Sequence, residues 1–323
     1  MNVLSLFDGI SCGRVALDRA GIKVNNYYAS EIDKSAIKVT MQNYPKTIQV
    51  GDVSKLTSNM FPKIDLLIGG SPCQGFSRQG LHLNFKDSRS KLFFEYVRLL
   101  KELNPKYFLL ENVKMKKEYQ DIISDYLKIQ PIEINSKLVS AQNRPRLYWT
   151  NIQNLKQPDN KEILLKDILE NIDVANYIVK DGIKFQQGIS DNSIRLVNVN
   201  NWETRITQAV KSGYIVANNG DGINLSFPLS KSRRGRVIKQ KSSTLDCACN
   251  LCVYINGTIR RYAINELEKL QTLPKDYTAG ISDRNRIKCI GNGWTVDVIS
   301  HILKNIKEWL NASKNKRNIW RRK

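Results

Sequence analysis

Ser71-Pro72-Cys73-Gln74-Gly75 places a thiol on a loop directly after the apolar run Ile64-Asp65-Leu66-Leu67-Ile68. A thiol displayed there can act as a nucleophile, because loop amide dipoles and nearby cations lower its pKa. The competing reading is a packed structural cysteine, the commoner fate of a free thiol. Gly69, Gly70 and Gly75 around it argue for an exposed loop instead. Glu111 follows Phe108-Leu109-Leu110. A carboxyl at the end of such a buried run is expected to be desolvated and able to donate a proton near neutrality. Gln142-Asn143-Arg144-Pro145-Arg146 offers two guanidinium forks at alternate positions, which extended backbone turns to one face. For either arginine alone, a phosphate contact or a surface ion pair is the simpler reading.

A second set of residues suits a bound nucleoside. Asp8-Gly9-Ile10-Ser11-Cys12-Gly13 is a glycine-bearing turn ahead of a helix, where free amides favour an anion and the backbone can approach a ligand closely. Glu31 ends the next apolar run, a position suited to ribose hydroxyls. Asp52 ends the one after and can accept from an adenine amine. Each acid alone reads more readily as a solvated loop carboxylate. Their shared placement at strand ends favours the nucleoside.

The elements that must hold these groups alternate. Val3 to Phe7, Tyr27 to Ser30, Thr47 to Val50, Ile64 to Ile68 and Tyr107 to Leu110 read as strands. Amphipathic stretches separate them, such as Leu92, Phe93, Tyr96, Val97, Leu100 and Leu103 at helical spacing. The rhythm predicts an α/β fold: a Rossmann-like parallel sheet with helices on both faces, whose ligands bind beyond the carboxyl ends of the strands. Asp8, Glu31, Asp52, Cys73 and Glu111 all fall at such ends. The spacing divides the chain into a catalytic and cofactor-binding domain over 1–173, a smaller loop-rich domain over 174–260, a segment over 261–312 that completes the first domain, and a basic tail over 313–323.

The 323 residues carry 51 Lys and Arg against 30 Asp and Glu, a net charge of +21. That excess points to a polyanionic partner, and without a basic amphipathic helix bearing an aromatic face, nucleic acid is favoured over membrane. No apolar run approaches the roughly 20 residues that cross a bilayer. The first residues lack a basic segment and read as a strand, not a signal peptide. Six cysteines in such a chain imply a reducing compartment and free thiols. Cys247, Cys249 and Cys252 are closely spaced, but a structural zinc site wants four ligands and no fourth lies near, so no metal is expected.

Phe7-Asp8-Gly9, Gly70-Ser71-Pro72-Cys73, Glu111-Asn112-Val113, Gln142-Asn143-Arg144-Pro145-Arg146 and Gly291-Asn292-Gly293 stand in the order seen in DNA cytosine-5 methyltransferases, which the chain resembles over roughly 1–150 and 260–310. Ala29-Ser30-Glu31, Leu92-Phe93-Phe94-Glu95 and Gly293-Trp294 look like the animal de novo enzymes, and Gln74-Gly75-Phe76-Ser77 like bacterial and phage ones. The resemblance implies methyl transfer from S-adenosyl-L-methionine to carbon 5 of a cytosine flipped out of double-stranded DNA. Cys73 would add at carbon 6, Glu111 would protonate the N3 edge, and Arg144 and Arg146 would secure the base oxygen and the loop. It implies cofactor contacts from Asp8, Gly9, Ile10, Ser11, Cys12, Glu31, Ile32, Asp52, Val53, Asn292, Gly293 and Trp294.

The region over 174–260 then takes the place of a target-recognition domain. Its basic run Lys231, Arg233, Arg234, Arg236, Lys239 and Lys241, with Gln74 and Gln142, is expected on DNA. Some relatives methylate transfer RNA, but those often carry Pro-Pro-Cys with a different following stretch. A catalytically inactive DNA-binding homologue is the other alternative, which the full set of reactive residues disfavours. The resemblance suits a monomer in a prokaryotic or phage-infected cytoplasm, either solitary or paired with a restriction endonuclease.

Overall fold

The computed structural model describes residues 1–71, 91–172, 203–227 and 230–306, with backbone alone for 197–200. The first half alternates β1 (Asn2–Leu6), α1 (Cys12–Arg19), β2 (Asn26–Ser30), α2 (Lys34–Asn43), β3 (Ile48–Gln49), β4 (Leu66–Gly69), α3 (Lys91–Leu103), β5 (Tyr107–Val113), α4 (Lys117–Leu127), β6 (Ile132–Asn135) and β7 (Pro145–Thr150). These strands form one seven-stranded sheet in the order β3-β2-β1-β4-β5-β7-β6. Pairing is parallel from β3 through β5. Only β7 then runs antiparallel, to both β5 and β6. The expected parallel sheet is thus a mixed one.

That reversal matters for chemistry. It brings the start of β7 beside the end of β5, pairing Val113 with Arg146 and Glu111 with Tyr148.

Alternation along the strands builds two apolar layers. Val3, Ala29, Ile68 and Leu109 face one side, where Val15 and Leu17 of α1, Val39 of α2, and Ile299, Ile302 and Leu303 of a helix over 296–306 pack on them. Leu4, Leu6, Leu67 and Leu110 face the other, against Phe93, Tyr96 and Leu99 of α3 and Ile123 and Leu127 of α4. A helix from the far end of the chain therefore completes the first layer.

Between these parts lie small antiparallel sheets. β8 (Val197–Asn200), β9 (Glu203–Thr207) and β10 (Tyr214–Val216) form one of order β10-β9-β8. β11 (Gly222–Asn224), β12 (Val237–Ile238), β13 (Leu251–Ile255) and β14 (Thr258–Arg261) form another of order β12-β11-β13-β14. Ile206, Ala217, Ile223, Leu225, Cys252 and Ile259 make their shared apolar core. The chain returns through α5 (Ile264–Leu270) and α6 (Asp283–Asn292). No described helix is long and apolar enough to cross a membrane.

Candidate active site

The turn after β1 is tight because Phe7, Gly9 and Ser11 all adopt left-handed backbone. Glu31 fixes it from the end of β2. Its Oε2 accepts from the Gly9 amide at 2.8 Å, and its Oε1 accepts from the Ile32 and Asp33 amides at 2.7 and 2.8 Å. One carboxylate thus joins two strand ends. Ile32 beside it is 74% exposed, an apolar side chain presented to solvent. A Cβ on Gly9 would meet nothing within 4 Å, so the space over the turn is open.

Asp8 lies under this turn and accepts hydrogen bonds from the Tyr27 hydroxyl at 2.7 Å and from the Ser11 hydroxyl. Burial pushes its carboxyl up to about 6 despite those donors. The Ile10 carbonyl accepts from the Tyr277 hydroxyl at 2.7 Å, and the buried Cys12 thiol is raised to about 12 by lost hydration. These groups shape the turn. Asp52 accepts from the Ser54 amide and hydroxyl, which hold its carboxyl below the usual range, and Val53 beside it is buried.

The second group surrounds Glu111, which is 8% exposed at the end of β5. Arg146 Nε lies 2.9 Å from its Oε1, and the Trp294 indole Nε1 donates to its Oε2 at 3.1 Å. The neighbouring Asn112 Nδ2 donates to the Ser71 carbonyl at 3.3 Å and contacts its hydroxyl at 3.4 Å. Ser71 is the last described residue of the loop that carries Cys73 and Gln74; those two lie outside the described residues. Gly70 is required for closeness here, since a Cβ on it would sit 2.9 Å from Trp294 Nε1 and 3.0 Å from Glu111 Oε2.

Arg144 does not share the task of Arg146. Its guanidinium is buried and donates to the carbonyls of Leu245, Gly291 and Gly293 at 2.8, 3.1 and 3.0 Å. Burial and the nearby Arg146 pull it down to about 9, which leaves it charged at neutral pH. It ties the start of β7 to the middle region and to the C-terminal block. The resemblance assigns it, with Arg146, to the base oxygen and the loop; here its guanidinium makes three hydrogen bonds to backbone carbonyls.

Gln142, expected on DNA, also has its side chain engaged within the chain. It is fully buried, donates to the Leu270 carbonyl at 3.0 Å and accepts from the Leu245 amide at 2.8 Å. Its backbone bridges Ser242, so it joins the two regions from inside.

The C-terminal block folds back onto the first turn. A Cβ on Gly293 would lie 3.2 Å from Cys12 Sγ, and one on Gly13 would lie 3.4 Å from the Trp294 ring. Asn292 Oδ1 accepts from the Cys247 thiol at 2.9 Å. Gln271, which the sequence did not single out, holds this block. Its Nε2 donates to the carbonyls of Ile290 and Gly293, and its Oε1 accepts from the Thr295 hydroxyl at 2.9 Å. A glutamine in a run of mixed polarity carries no local signal for such a role.

The basic run divides by burial. Lys231 and Arg234 are exposed, and Arg233 is half-buried with its guanidinium 5.1 Å over the ring of Phe227, which is itself 58% exposed. Arg236 is instead fully buried and donates to the carbonyls of Ser226 and Phe227 at 2.8 and 2.6 Å. Lys241 reaches the carbonyls of Lys137 and Ser140, each at 3.1 Å, and Lys239 pairs with buried Asp221 at 2.8 Å. Arg236 and Lys241, expected on DNA with the rest of the run, thus hold backbone carbonyls here. Cys249 and Cys252 are buried, and lost hydration raises their thiols to about 11 and about 12.

A mixed seven-stranded sheet with this glycine turn at the end of β1 has the fold of known methyltransferases. The structure of Entamoeba histolytica methyltransferase EhMeth superposes with a TM-score of 0.68 at 18% identity, covering 96% of this chain and 98% of that one. A profile of the C-5 cytosine-specific DNA methylase family matches residues 1–308. The chain belongs to that family and is a DNA cytosine-5 methyltransferase. It is 29% identical to the type II methyltransferase M1.ScrFI of Lactococcus lactis subsp. cremoris over 97% of this chain and 79% of that enzyme. It is 28% identical to the type II methyltransferase M.FnuDI of Fusobacterium nucleatum over 96% of this chain and 95% of that enzyme.

Proposed function

We propose that this enzyme methylates a cytosine flipped out of double-stranded DNA, with Cys73 as nucleophile and Glu111 as the acid that holds the base. The observation that carries this reading is the Glu111 carboxyl, gripped by Arg146 and Trp294 at a strand end and adjoining the Ser71 anchor. Cys73 follows Ser71 by two residues, a chain reach of about 7 Å at most. The thiolate adds to carbon 6 of the ring, and Glu111 supplies the proton that stabilises the adduct at N3. Carbon 5 becomes nucleophilic as an enamine and takes the methyl group; its proton then passes to solvent, the C6–S bond breaks to release the thiolate, and N3 returns its proton to Glu111. Arg146 keeps the carboxyl aimed throughout.

S-adenosyl-L-methionine, when bound, supplies the methyl group as an electrophilic sulfonium. The residues present fit it. Open space over Gly9 admits a ligand, Ile32 offers an apolar surface to a flat ring, and Glu31 keeps acceptor capacity for ribose hydroxyls beyond its three amide donors. Asp52 and Val53 would flank the ligand from the end of the third strand, and Asn292, Gly293 and Trp294 from the C-terminal block.

Flipping a base costs on the order of a few kcal/mol, which phosphate contacts can offset. Lys231, Arg233 and Arg234 with Phe227 provide such a surface, an exposed aromatic ring among basic side chains. Transfer of labelled methyl to duplex DNA and to RNA, followed by bisulfite sequencing, tests the proposal. Label in DNA at cytosine within one recurring sequence supports it. Label confined to RNA overturns it.

A further inference from the structure

Trp294 stands between two sites that the chemistry needs together. Its ring lies against Gly13 at the start of α1, and its Nε1 donates to Glu111 Oε2 at 3.1 Å. The other oxygen of the same carboxyl pairs with Arg146 Nε at 2.9 Å, so the carboxyl plane is set by two donors from different parts of the chain. Trp294 is the distant one, 183 residues from Glu111. Its backbone is held independently, because Gln271 and Arg144 both bind the Gly293 carbonyl at 3.0 Å. Gly70 completes the arrangement by leaving room: a methyl group there would crowd the indole nitrogen and the carboxyl oxygen at once.

We propose that Trp294 is a positioning residue for Glu111, and that the indole N–H, with the space left by Gly70, sets the carboxyl at the angle the base requires. This rests on the reading of Cys73 and Glu111 given above. It differs from a packing role for the ring, because it assigns the function to one N–H.

A cofactor-free assay isolates the effect. If Cys73 adds to carbon 6 and Glu111 protonates the ring, carbon 5 exchanges its hydrogen with solvent before the thiolate leaves. Tritium release from DNA labelled at cytosine carbon 5 reads this step without methyl transfer. Trp294→Phe keeps an aromatic ring and removes the donor. Exchange is expected to fall about tenfold, the scale of one lost hydrogen bond, while KM for DNA stays within about twofold.

Gly70→Ala is a second route to the same defect with the indole intact, since Gly70 does not occupy left-handed backbone. If both variants break one contact, the double variant is no slower than about the worse single variant. Exchange by Trp294→Phe within about twofold of wild type, or a double variant showing the product of the two losses, overturns the proposal. Absence of exchange in the wild-type enzyme would overturn the underlying assignment of Cys73 and Glu111 instead.

Discussion

Arg144→Met separates a structural clamp from a substrate grip. The guanidinium holds three carbonyls, but that of Gly293 keeps Gln271 Nε2 at 3.0 Å after the change. The carbonyls of Leu245 and Gly291 lose the donors that stood at 2.8 and 3.1 Å. An unmet buried acceptor costs about 1–3 kcal/mol, so the two cost about 2–6 kcal/mol. Removing a buried charge relieves its own desolvation and offsets part of this, leaving about 3 kcal/mol. For a chain of 323 residues that corresponds to a melting temperature lower by roughly 4–5 °C. Thermal unfolding followed by circular dichroism measures it, alongside methyl transfer well below the transition. A melting temperature within about 1 °C of wild type, with transfer abolished, would refute the clamp and restore Arg144 to the base.

Asp8→Asn should alter the pH dependence of stability. Because the folded-state carboxyl is raised from 3.8 to about 6, the folded protein holds this proton longer than the unfolded chain. Stability from this group is therefore greatest below pH 4 and is lost as pH rises through about 6. The melting temperature of wild type relative to Asp8→Asn is expected to fall between pH 4 and 7; a difference constant across that range would contradict the buried-carboxyl account. In the basic run, Arg233→Ala should weaken DNA binding and lower the salt slope of log K by about 1, with thermal stability unchanged. Arg236→Met should do the reverse, destabilising the fold through its carbonyls while the salt slope stays put; equal salt slopes for the two variants would show that the division by burial is wrong.

The strand ends were legible because their signals are local. An apolar run closing in Gly69-Gly70, another closing in Glu111, and a glycine turn after the first strand each declare themselves within a few residues. The parallel pairing through β5 follows from the same rhythm. The reversal of β7 does not, since the extended pattern of Pro145–Thr150 is equally compatible with either direction. Arginines mislead for a related reason. Arg144 and Arg236 read as exposed charge, yet each is buried against carbonyls, a use that depends on backbone brought from elsewhere in the chain. Gln271 and the Trp294–Glu111 contact are invisible locally because they exist only once the C-terminal block has folded back.

As the proposed nucleophile, Cys73 would form a covalent bond with cytosine carbon 6 in DNA. Duplex DNA carrying 5-fluorocytosine at the methylated position tests it directly, because fluorine cannot leave as a proton does and the adduct persists after methyl transfer. Peptide mass spectrometry of the trapped complex locates the attachment. The account predicts one nucleotide adduct on the peptide containing Ser71-Pro72-Cys73-Gln74 and none with Cys73→Ala; an adduct on another cysteine, or efficient methyl transfer by Cys73→Ala, would contradict it.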